Sequence, residues 1–107
     1  MNNDDIVNIG FCLHNLPNND INKPHNSVLF SLYYKYDYAK IVYEMSLSSK
    51  DNNDDYHRIR IKKETYFDED FTKKTGKTYE AVELFIGIVY NIEDIKTILK
   101  CLRVKLK

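Results

Sequence analysis

The chain has 107 residues; 16 Lys and Arg balance 16 Asp and Glu, and 43% of residues are hydrophobic against 30% charged. That length fits a single small globular domain, residues 1–107, and those proportions exclude wholesale disorder. Zero net charge excludes a global field able to hold a polyanion, so nucleic-acid or membrane-surface binding requires a local patch.

Residues 5–14 alternate Val7, Ile9, Phe11 and Leu13 with Asn8, Gly10, Cys12 and His14. Period two predicts a first strand. Leu16 to Asp20 and Asn22 to Asn26 are dense in Asn, Asp and Pro and read as a loop. Residues 27–36 alternate again, with Val28, Phe30, Leu32, Tyr34 and Tyr36 on one side and Ser31, Tyr33 and Lys35 on the other. Residues 39–47 repeat the pattern through Ile41, Tyr43, Met45 and Leu47. The short connection at Asp37-Tyr38 forces these two strands into an antiparallel hairpin whose turn type stays open.

A polar loop from Ser48 to Asp55 precedes a weaker strand at 56–63, where Ile59 and Ile61 oppose Tyr56, Arg58, Arg60 and Lys62. Residues 64–77 read as a long, partly structured connection. Residues 80–104 fit two readings, a strand followed by a helix or one long helix. Phe85 to Tyr90 is aromatic and β-branched with Gly87 inside it. That composition favours a strand at 80–90, because an interior glycine weakens a helix by about 1 kcal/mol. A helix at 92–104 follows, with Asn91 as its cap, acids at its start, bases at its end, and Ile92, Ile95, Ile98, Leu99 and Leu102 as its apolar stripe. The expected fold is α+β: a mostly antiparallel five-stranded sheet with one C-terminal helix packed on one face.

The acidic N-terminus lacks the basic start and apolar core of a secretory signal, and the longest apolar run, 84–90, is far short of a membrane span. Cys12 and Cys101 are expected as free, buried thiols in a reducing cytosol. The expected location is cytoplasmic, with no membrane association.

Familiar chemical signatures fail on spacing. Thr75-Gly76-Lys77-Thr78 resembles the tail of a phosphate-binding loop, but position 71 is Phe where that loop needs glycine. Asp51, Asn53 and Asp55 match the first ligands of a calcium loop, but Tyr56 replaces the turn glycine and Lys62 the bidentate acid. Cys12, His14, His25, His57 and Cys101 lack a second pair at zinc spacing. No local signature makes Cys12 a nucleophile, and Asp68-Glu69-Asp70 reads as a solvated acidic run. No catalytic residue, metal or cofactor is expected, and the chain is read as non-enzymatic.

The feature that carries a functional expectation is the side of the sheet away from the helix. Tyr33, Lys35, Tyr38, Lys40, Tyr56, Arg58, Arg60 and Lys62 are expected to share it. Aromatic residues mixed with bases suit a protein hot spot. They also suit a surface that stacks bases and neutralises phosphates. Glu44, Asp37 and Glu83 dilute the positive charge, so a protein partner ranks above single-stranded nucleic acid. The acids Asp51, Asp54, Asp55, Asp68, Glu69 and Asp70 form a secondary acidic surface able to mimic phosphates. Residue usage points to an AT-rich source. Small neutral chains of that origin are common among phage and mobile-element inhibitors of host machinery, anti-CRISPR proteins included. A toxin-neutralising immunity protein fits the same features. An exposed edge strand is also able to pair with a copy of itself, giving a homodimer.

Overall fold

The computed structural model describes residues 3–14, 25–50 and 56–106. Its elements in chain order are α1 (Asn3–Asn8), β1 (Cys12–His14), β2 (His25–Tyr36), β3 (Ala39–Lys50), β4 (His57–Phe67), α2 (Glu69–Thr75), β5 (Tyr79–Val89) and α3 (Ile92–Cys101). The strands form one sheet in the order β1-β2-β3-β4-β5, with every neighbouring pair antiparallel. The expected α+β sheet of five strands is present.

Residues paired across an antiparallel ladder point to the same side. Phe30, Met45 and Ile61 therefore share one face, joined by Leu47 and Ile59. All five are buried in a single cluster with Ile6 of α1, Phe11, Val89 of β5, and Ile95, Leu99 and Val104. The buried side of α3 thus belongs to the same core as this inner face of the sheet. At about 1.5–3 kcal/mol for each fully buried large aliphatic side chain, this cluster is the main local source of stability.

The hairpin of β2 and β3 runs in register from His25↔Lys50 to Tyr36↔Ala39, leaving Asp37 and Tyr38 as a two-residue turn. Tyr38, expected to share the outer side of the sheet with Lys40, occupies this turn. Neither residue has a positive φ, which excludes the mirror-image turns that best match strand twist. The turn is braced from outside: Asp68 N–H donates to Tyr38 O at 2.9 Å, and the Tyr38 ring stacks on Phe71 of α2 at 5.5 Å.

Two expectations at the ends of the sheet need correction. The run 5–14 is not a strand; Asn3–Asn8 is helical and only Cys12–His14 is extended. Within α1, Ile6, outside the alternating set, is buried and Val7 is exposed, although Phe11 of that set is buried too. Gly10, at φ 116°, turns the chain between the two pieces, a conformation that glycine adopts without penalty. The run 64–77 is not a loose connection. β4 continues to Phe67, and α2 follows with Asp68 capping Phe71 N–H at 2.7 Å and Gly76 closing it at φ 77°.

The ambiguity over 80–104 resolves as β5 followed by α3. Asn91 and Asp94 form a reciprocal capping box: Asp94 N–H donates to Asn91 Oδ1 at 3.0 Å, and Asn91 N–H donates to Asp94 Oδ2 at 3.2 Å. Two backbone bonds, Val104 N–H to Leu99 O and Arg103 N–H to Lys100 O, end α3 in a Schellman arrangement. That arrangement holds Arg103 at φ 59° and turns Val104 into the core. Cys12 and Cys101 are both free, as expected, but both are exposed rather than buried. No helix among the described residues is long and apolar enough to cross a membrane.

Candidate functional site

The outer side of the sheet is organised in rows set by the ladder register. Ser48, Arg58 and Ile88 form one row; Leu29, Ser46, Arg60 and Ile86 the next. Ser31, Glu44, Lys62 and Glu83 follow, then Tyr33, Val42, Glu64 and Ala81, then Lys35, Lys40, Tyr66 and Tyr79. The core residues of α1 and α3 lie with the inner face, and the Phe71 ring of α2 stacks on inner-face Phe67 at 4.6 Å. Tyr33, Tyr66 and Tyr79 are exposed on the outer face.

Six of the expected partner-binding residues, Tyr33, Lys35, Lys40, Arg58, Arg60 and Lys62, are brought together in these rows. Two are not: Tyr38 lies in the turn and Tyr56 precedes β4. The charge on the face is largely self-compensated. Arg60 is paired with Glu83, and Lys62 lies 3.8 Å from Glu44. Among the described residues, Lys35, Lys40 and Arg58 make no ion pair. Lys35 and Lys40 are direct cross-strand partners. Like charges in that position repel. Both lysines line a cavity of about 330 Å³ at the hairpin end, with Tyr36, Tyr66, Phe67 and the acids Asp37 and Asp68 also in its wall.

At the middle of the face lies a network missed in the sequence. Glu64 accepts hydrogen bonds from the hydroxyls of Tyr66, at 2.6 Å, and Tyr79, at 3.0 Å. Its residue is only 8% exposed. The Tyr66 hydroxyl, together with Glu44, Tyr79 and Lys62, holds the Glu64 carboxyl below the usual range against the opposing effect of burial. Glu44 moves the other way, raised by burial and by the neighbouring Glu64 carboxyl.

Donation to Glu64 pushes the Tyr66 hydroxyl up to about 12 from 10.0. A phenol whose folded-state pKa is raised stabilises the fold below its unfolded value and loses that contribution as pH rises through the folded one. Stability is therefore expected to fall between pH 10 and about pH 12, and Tyr66→Phe is expected to flatten that fall in urea titrations. An unchanged slope in the variant would show that the hydroxyl does not donate to Glu64. On the acid side the two carboxyls oppose each other. The Glu64 contribution is lost as pH drops through its lowered value, while ionising Glu44 costs stability as pH rises beyond 4.5.

The expected acidic surface is divided. Asp51, Asp54 and Asp55, including two of the calcium-loop positions, lie outside the described residues. Asp68 is used as the α2 cap, Glu69 pairs with Lys73 at 3.9 Å, and Asp70 sits in the first helical turn. These acids complement the helix dipole. His14 Nε2 bonds to Ser31 Oγ, and His57 is buried. No cluster of three or more His, Cys, Asp or Glu with metal-binding geometry occurs among the described residues. The chain matches no protein-family model, no curated protein and no solved structure.

Proposed function

We propose that the chain is a non-enzymatic protein-binding module that docks its partner on the outer face of the sheet. The observation that supports this reading is the composition of that face: three exposed tyrosines beside bases, two of which are already neutralised by Glu83 and Glu44. A face that cancels much of its own charge gains little from a polyanion, because counterion release scales with the number of phosphates neutralised. Rigid tyrosine rings still offer contact area at low entropic cost. Lys35 and Lys40, which share their cavity with Asp37 and Asp68 but make no ion pair among the described residues, suit an acidic side chain on the partner. An inhibitor that occludes host machinery, whether of the anti-CRISPR kind or a toxin-neutralising immunity protein, is a finer form of the same reading, since occlusion requires only such a face.

Affinity capture with mass spectrometry, with and without nuclease, tests the proposal. The expected result is a stoichiometric protein retained after nuclease treatment. Tyr33→Ala combined with Lys35→Ala is expected to weaken its binding about thirtyfold, the effect of removing a hot spot. Lys96→Ala, at an exposed position of α3, is the control and is expected to have no effect. Capture that disappears with nuclease would favour nucleic acid instead.

A further inference from the structure

We propose that β5 pairs antiparallel with β5 of a second copy of this chain, about a two-fold axis at Gly87. The two sheet edges differ sharply. β1 is three residues long, whereas β5 is an edge of 11 residues. A long edge strand presents unpaired backbone donors and acceptors, and proteins usually blunt it with Lys, Pro or inward-pointing charge. β5 contains no Lys, Arg or Pro, and residues 84–90 (Leu-Phe-Ile-Gly-Ile-Val-Tyr) carry no charge at all. Ile86, Ile88 and Tyr90 are 65%, 52% and 64% exposed.

Charge and register select the occupant and the axis. Glu80 and Glu83 lie in the first half of β5, so a two-fold placed between Ala81 and Val82 would set one against the other. The strand is also irregular there, with a register shift against β4 between Ile61 and Lys62. From Phe85 to Val89 the ladder is regular, from Ile61↔Phe85 to His57↔Val89, and Gly87 is the midpoint of that stretch. A two-fold at Gly87 sets Ile86 against the partner's Ile88 on the outer side and Phe85 against the partner's Val89 on the inner side. Glu83 meets only the partner's Asn91. The segment is thus complementary to itself, as an isologous interface requires.

Sedimentation equilibrium of the full chain, from micromolar to millimolar concentration, tests the pairing through two double variants. The wild-type chain is expected to reach twice its monomer mass. I86K/I88K places like charges opposite each other and is expected to raise the dissociation constant about a hundredfold or more. I86K/I88E places opposite charges across the same axis and is expected to restore the dimer. Circular dichroism verifies that both variants stay folded. A wild type that remains monomeric throughout overturns the proposal, as does a dimer indifferent to I86K/I88K. Two folded, monomeric double variants overturn the Gly87 axis. Amide exchange of the wild type gives a reading independent of the variants: protection at residues 85–89 must rise with concentration, and constant protection overturns the pairing. A monomeric chain that still captures a protein through Tyr33 and Lys35 would leave the outer-face reading standing while removing this one.

Discussion

Leu99→Ala is expected to lower the free energy of unfolding by about 2–5 kcal/mol, the range for emptying a fully buried leucine site. Leu99 is completely buried in the same cluster as Phe30, Met45 and Ile61. It also supplies the carbonyl that closes the C-terminal end of α3 through Val104. Truncation leaves a cavity where helix meets sheet and loosens the support of Val104, which is itself buried. The measurement is the urea midpoint at constant m-value, with binding of a hydrophobic dye as a second reading of an uncovered inner face. Leu102→Ala, at a half-buried position on the rim of the same cluster, is expected to cost clearly less. A loss below about 1 kcal/mol for Leu99→Ala would mean that α3 is not what keeps the inner face from water, since full burial of a leucine is worth more than that.

The central sheet was legible because its strands are covered on one side, and alternation then reports burial directly. Val28 to Tyr36 and Ile41 to Leu47 show that pattern in the sequence, and the structure pairs them residue for residue. The aromatic and β-branched run around Gly87 decided between strand and helix, and the structure adds that Gly87 accommodates the Phe85 ring two residues earlier on the same face. Alternation failed at Val7 to Leu13. A six-residue helix spans under two turns, too few for a 3.6-residue period to outweigh a chance period of two. α2 carries only Phe71 as an apolar anchor, so its stripe was invisible. Its caps were nonetheless present in Asp68 and Gly76, with acids at the start and lysines at the end. The Glu64 network was hidden for a different reason. Tyr66 and Tyr79 meet Glu64 only once the β4–β5 register is known, and no local pattern encodes register across a connection that contains a helix. The mixed basic and aromatic strands were visible as sequence, but not their neutralisation by Glu44 and Glu83, which is again a matter of register.

The same distinction between a covered core and a braced tip yields the second large effect. Phe30→Ala is expected to cost about 3–5 kcal/mol, the usual penalty for removing a buried phenylalanine. Phe30 is fully buried at the crossing of two ladders, opposite Met45 on β3 and Leu13 on β1. Its loss opens a cavity beneath the sheet and weakens the register of a strand only three residues long. Phe71→Ala removes an aromatic of equal size, yet its ring is only half-buried and is stacked on Phe67 and Tyr38 at the far end of the hairpin. Stacked pairs contribute about 0.5–1.5 kcal/mol beyond burial. The expected result is a small change in urea midpoint together with faster amide exchange confined to α2 and the 37–38 turn, the signature of local rather than global opening. Equal losses for the two variants would merge the tip with the core. Unequal losses would mean that Lys35, Lys40 and the cavity beside them sit on a segment able to adjust without unfolding the sheet beneath.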